Sequence, residues 1–130
     1  MAVIGEGISF NPDNHFQWVG PMWVNTGTSN FGAQTVPLDL KGYQGVAVFL
    51  TETTSSGSSG KWAFAFRSQA GTTRFNIQYN YRQMRHFSMS DSGVYFTNAQ
   101  EASNSGDMNS SANSKAIPRV IYGLKGVVAE

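Results

Sequence analysis

Arg74-Phe75-Asn76-Ile77-Gln78-Tyr79-Asn80-Tyr81-Arg82 is the stretch whose reading decides the fold. Phe75, Ile77, Tyr79 and Tyr81 occupy alternate positions, and Arg74, Asn76, Gln78, Asn80 and Arg82 fill the positions between them. Successive side chains of a strand point to opposite faces, whereas a helix repeats every 3.6 residues. The alternation predicts a half-buried strand with an aromatic inner face and a polar outer one.

Upstream, Lys61-Trp62-Ala63-Phe64-Ala65-Phe66-Arg67 alternates in the same way, with Trp62, Phe64 and Phe66 on one side and two alanines on the other. Ser68 to Thr72 supplies a short glycine-containing turn, so the two segments are expected to pair as a hairpin. Further strands are predicted over 16–24, 35–40, 43–52, 84–89, 94–98 and 116–124, with Gly20-Pro21 bending the first or placing it at an edge. Asp91-Ser92-Gly93 marks a turn. Residues 25–34, 53–60 and 100–114 read as loops, the last a long polar one. Residues 1–15 read as an N-terminal arm. No repeat or linker divides the chain, so residues 1–130 are expected to form a single domain.

The pattern predicts an all-β antiparallel β-sandwich of about eight strands, jelly-roll-like. The faces Trp62/Phe64/Phe66 and Phe75/Ile77/Tyr79/Tyr81 would fill its core. That leaves Trp18 and Trp23 as candidates for a subunit interface, a setting enriched in aromatic residues.

Composition narrows the function. Charged residues are only 13% of the chain, and nine Lys plus Arg nearly balance eight Asp plus Glu. No general field is present to gather nucleic acid or anionic lipid, so neither nucleic acid nor membrane insertion is expected. The absence of cysteine excludes disulfides and thiolate metal sites. The opening Met1 to Gly7 has neither the basic nor the long apolar region of a secretory signal, and none is expected.

Candidate chemistry is sparse. The two histidines, His15 in a turn-like Asn-Pro-Asp-Asn context and His86 opposite Arg85 and Phe87, do not have metal-ligand spacing. No nucleophile elbow accompanies the serines. Asp39, Glu52 and Asp91 are the acids left for a glycosidase-like pair. The Thr53 to Gly60 glycines lack the helix and lysine of a phosphate loop. No cofactor, no metal and no enzymatic activity are expected. Arg74, Arg82, Arg85 and Arg119 among Tyr and Trp residues resemble a single-strand nucleic-acid surface, but alternation sets the arginines on an outer face apart from an aromatic core. Aromatic rings surrounded by neutral amides suit glycans, such as those of a host cell surface. A partner-binding or receptor-binding face is expected at Trp62, Tyr79, Tyr81, Arg82 and Arg85.

Lys115-Ala116-Ile117-Pro118-Arg119-Val120-Ile121-Tyr122-Gly123-Leu124-Lys125 resembles the closing strand of small domains in phage tail-fibre and minor tail structural proteins, which end on an Ile-Pro-x-x-Ile-Tyr-Gly-x-Lys-like string. Upstream, Trp23 to Gly27, Val36 to Leu40, Gly42 to Val48 and Gly93 to Ala99 follow a similar order, so the likeness spans residues 18–125. The resemblance implies a β-sandwich of a bacteriophage virion, a homotrimer by preference, that contacts other virion proteins or the host. Such a chain is made in the host cytoplasm and released by lysis. Its function would be virion structure, in a tail fibre, tail tip or decoration protein, with lectin-like recognition of neutral sugars as the alternative.

Overall fold

The computed structural model describes residues 16–55, 57–78, 81–103 and 112–126; for 76–78, 81 and 103 the backbone alone is described. The described residues form nine strands and no helix: β1 Phe16–Val24, β2 Gln34–Pro37, β3 Gly45–Thr53, β4 Gly60–Phe66, β5 Gly71–Gln78, β6 Tyr81–Ser90, β7 Gly93–Phe96, β8 Gln100–Ser103 and β9 Lys115–Gly126. Every ladder is antiparallel. One sheet has the order β1-β9-β3-β4 and the other β2-β7-β6-β5, with β8 added to β6. The first strand lies beside the last, and β2 beside β7 in the opposite sheet, while β3–β4 and β5–β6–β7 pair with their chain neighbours, so the fold is a two-sheet antiparallel sandwich.

The core lies between the sheets. Val46, Val48 and Leu50 of β3, Ala63 and Ala65 of β4, and Ile117 and Ile121 of β9 pack with Val36, Phe75, Phe87, Met89, Val94 and Phe96 of the other sheet. Phe31, from the loop after β1, closes one side against Phe96 at a ring distance of 5.5 Å. Burying each large side chain contributes about 1.5–3 kcal/mol.

Four expectations change. The deciding stretch 74–82 is not one strand. β5 ends at Gln78 and β6 begins at Tyr81, paired Gln78 to Tyr81, so the chain reverses inside the alternating run. Tyr79 and Asn80 lie outside the described residues.

The expected hairpin of 61–67 with 74–82 is an arch instead. β4 pairs β3, β5 pairs β6, and the connection crosses from one sheet to the other. Phe66 and Gln69 exchange both backbone hydrogen bonds at 2.9 Å, which closes the turn tightly. Gly71 then passes so near the Phe64 carbonyl that a Cβ would collide with it.

The expected loop 100–114 contains β8, which pairs with the first half of β6 from Met84 to Tyr81. A polar segment carries no burial pattern, but the unpaired backbone of a β6 edge accepts it.

The fourth change concerns which face of β4 is inside. Ala63 and Ala65 join the core, while Trp62 and Phe64 are exposed on the outer face, against the expectation that the rings fill the interior. The reason is volume. Phe75, Phe87 and Phe96 already occupy the space between the sheets, and a close-packed interior admits only small side chains opposite them.

Candidate functional site

The outer face of the four-stranded sheet carries an aromatic cluster that follows directly from strand register. Trp18 on β1 stands opposite Leu124 on β9, Leu124 opposite Gly45 on β3, and Gly45 opposite Phe66 on β4. The next row is Tyr122, Ala47 and Phe64, and the row after it Val24, Val120, Phe49 and Trp62. Side chains directly opposite in a ladder share a face. The middle strand therefore offers glycine and alanine where its neighbours offer rings.

The rings lean over that low centre. Trp18 meets Trp62 at 5.0 Å in an edge-on arrangement, and Tyr122 lies 5.7 Å from Trp18 and 5.8 Å from Trp62. Phe64 meets Trp18 at 5.8 Å, and Phe49 meets Trp62 at 5.2 Å. Phe66 lies over Gly45, where an added Cβ would come within 2.6 Å of its ring, and stacks with Phe16 at 5.4 Å. Ala47 and Leu124 are buried yet belong to no inter-sheet cluster, because the rings above cover them. Even so, Trp18 is 44% exposed, Trp62 42%, Phe64 43% and Val24 53%. Edge-on aromatic pairs at these distances contribute about 0.5–1.5 kcal/mol each beyond their burial.

Arg119 stands at one end of this face. Its Nε donates to Thr51 Oγ1 at 3.0 Å, and its other nitrogens donate to the carbonyls of Gly27, Thr53 and Thr54. Its donors are thus largely used in tying the loops on either side of the sheet.

The outer face of the other sheet differs in kind. Thr72, Arg74, Arg82, His86, Ser88 and Tyr95 are exposed there, and Thr72 Oγ1 lies 2.8 Å from His86 Nδ1. His86 lies opposite Arg85 and Phe87, as the alternation indicates.

The expected binding face is not one surface. Trp62 lies outside the first sheet and Arg82 outside the second, on opposite sides of the sandwich. Tyr79 and the side chain of Tyr81 lie outside the described residues, as does His15.

Arg85 is fully buried, against the expectation that it meets a partner. Its Nε donates to the Ala116 carbonyl at 2.7 Å, and its two terminal nitrogens to the Thr97 carbonyl at 2.6 Å and the Lys115 carbonyl at 3.1 Å. The guanidinium also sits 5.3 Å from the Phe31 ring centroid. Burial lowers its pKa to about 10, so it remains a cation at neutral pH. Carbonyl dipoles and a ring face hold that charge where a carboxylate would be expected. Of the interface candidates, Trp18 is exposed, whereas Trp23 turns inward and packs on Phe31 at 6.0 Å.

Two of the three candidate acids share one depression, and the third stands apart. Asp39 and Asp91 line an open depression of about 440 Å³ with Pro37, Leu38, Lys41 and Ser92. Asp91 is paired there with Arg67 at 2.5 Å, and Arg67 also donates to the carbonyls of Tyr43 and Leu40. Glu52 lies towards the far end of β3, whose Gly45 end adjoins Arg67. At about 3.3 Å per residue it is roughly 20 Å along the strand from that depression. Among the described residues no three His, Asp or Glu side chains converge as a metal set, and no helix is long and apolar enough to cross a membrane.

Trp62 is named from the sequence as a binding residue and Trp18 as an interface residue, but the two are not brought together there in one aromatic face. Its signal was present in the Trp62/Phe64/Phe66 alternation, but period alone does not say which face is inside. No family model, no curated protein and no solved structure matches the chain.

Proposed function

We propose that this protein is a non-enzymatic structural module of a bacteriophage virion, of tail-fibre, tail-tip or decoration type, that acts in assembly or host attachment. The observation that carries the reading is the uncharged aromatic face on the outside of the four-stranded sheet, with Trp18, Trp62 and Phe64 each more than two-fifths exposed. Soluble chains that remain alone rarely keep several large rings together in solvent, and such patches mark contact surfaces. The closing string Ile117 to Lys125 supports the virion assignment through its likeness to phage tail domains. On this reading the chain is a homo-oligomer, preferably a trimer, located in the particle after synthesis in the host cytoplasm and release by lysis.

A second reading, recognition of neutral sugars, draws on the two solvent-facing tryptophans, since an exposed ring can stack on a pyranose. Mass spectrometry of purified particles from the phage that encodes the chain tests the leading reading. Stoichiometric recovery is the expected result. Its absence from particles, together with an avid hit on a glycan array, would put the second reading first. Turnover of any polysaccharide, lost on substituting Asp39, Glu52 or Asp91, would overturn both.

A further inference from the structure

We infer that the occupant of the aromatic face is a second copy of this chain, packed on the outer side of the β1-β9-β3-β4 sheet. The inference rests on the assembly reading above and says where assembly happens; one face meeting its own copy makes a two-fold pair, in place of the trimer preferred there.

Charge is the first argument. Among the described residues, the rows from Thr51 to Gly45 on β3 and their neighbours on β1, β4 and β9 present no carboxylate. Of the two cations in these rows, Arg119 stands at the end of the face with its donors taken by Thr51 and three carbonyls, and Lys61, opposite Leu50, reaches the other way to donate to the Arg74 carbonyl of the second sheet. A patch of one sign repels its own copy, and a neutral one does not. The chain as a whole has a formal charge of only +1, so little long-range repulsion opposes contact between copies. The outer face of the other sheet, with Arg74 and Arg82, lacks this neutrality.

Chemistry is the second argument. A sugar site needs amides or carboxylates beside its stacking ring to hold the hydroxyls. Here the positions between the rings are Gly45, Ala47, Val120 and Leu124. Trp18, Trp62 and Tyr122 also turn edges and faces into one another at 72°, 55° and 61°, which leaves ridges and not a flat platform. Ridges of this kind interdigitate with another apolar sheet face, as they do between the layers of a sandwich.

Area is the third. Four strands spaced about 4.8 Å apart, over seven residues rising about 3.3 Å each, give roughly 400–450 Å² of face per copy. A pair of such faces buries a little under 1,000 Å², below the range of about 1,200 Å² and up that stable specific interfaces occupy and in the class of weak, transient contacts. Association in the micromolar range is therefore expected for the isolated protein.

Sedimentation velocity of the purified full chain, from about 1 to 100 µM, tests this. The wild type should shift from monomer towards a defined oligomer. Val24→Lys and Trp62→Ser, each made separately, should weaken that transition by at least tenfold. Val24 needs no core contact to keep its place, so V24K remains informative if W62S folds poorly; far-UV circular dichroism and thermal melting check both. Tyr95→Ser, on the outer face of the other sheet, should leave the transition unchanged. An oligomer indifferent to V24K and W62S overturns the placement of the interface while the assembly reading stands. A wild type that remains monomeric throughout overturns both. A monomer whose tryptophan fluorescence saturates with a neutral oligosaccharide assigns the face to sugar instead.

Discussion

Arg85 reaches through the core to Ala116, donating its Nε to that residue's carbonyl at 2.7 Å, and Ala116 has φ +47°, a left-handed backbone that alanine rarely adopts. The two features belong together. The left-handed Ala116 turns the two consecutive carbonyls at the entry of β9, those of Lys115 and Ala116, towards one guanidinium, and Thr97 supplies the third. The cost of a left-handed alanine is about 1–2 kcal/mol, and hydrogen bonds to a buried charge offset it at about 1.5–3 kcal/mol each.

Arg85→Met should therefore lower stability by about 2–4 kcal/mol, since it leaves the Thr97, Lys115 and Ala116 carbonyls without their donors. Thermal melting should drop by about 10 °C. Arg85→Lys should not rescue it, because an ammonium cannot reproduce the planar fork that meets three carbonyls. A parent-like melting curve for Arg85→Met would refute the assignment.

Thr73 lies opposite Arg85 in the β5–β6 ladder, and its Oγ1 is buried without a hydrogen-bond partner. An unsatisfied buried hydroxyl costs about 1–3 kcal/mol, and valine keeps the shape. Thr73→Val is expected to raise stability by about 1 kcal/mol in urea denaturation. A clear loss would mean that the hydroxyl is satisfied in solution.

Gly71 permits the crossing between sheets. Because an added Cβ would strike the Phe64 carbonyl oxygen and approach Phe87 Cζ at 2.7 Å, Gly71→Ala should cost about 1–3 kcal/mol. Gly57, with nothing near it, is the control, and Gly57→Ala should be close to neutral in the same melt.

Phe64 and Phe75 are the same residue type on two kinds of surface. Phe75→Ala empties the space between the sheets and should cost about 3–5 kcal/mol. Phe64→Ala removes a ring that is already 43% exposed, and should cost about 1 kcal/mol or less by urea denaturation of the monomer. Equal losses would return Phe64 to the core and remove the basis of the aromatic face.

Strand content was legible in the chain because period-2 alternation is a property of neighbouring residues. The predicted strand 16–24 coincides with β1, and the predicted 43–52 and 116–124 lie within two residues of β3 and β9. The reversal between Gln78 and Tyr81 was hidden because Phe75, Ile77, Tyr79 and Tyr81 continue the alternation across it. β8 was hidden because its stabilisation comes from backbone pairing with β6 rather than from a burial pattern.

From the amino-acid order alone one could know that rings and alanines take opposite sides of β4, that charge is scarce, and that the chain forms two-sided strands. Only the tertiary structure decided that Ala63 and Ala65 go inward, that Trp18 and Trp62 meet outside, and that Arg85 is interior. The physical reason is that alternation is a local rule, blind to the volume that distant strands bring. The space between two packed sheets is limited, and Phe75, Phe87 and Phe96, from elsewhere in the chain, had already filled it.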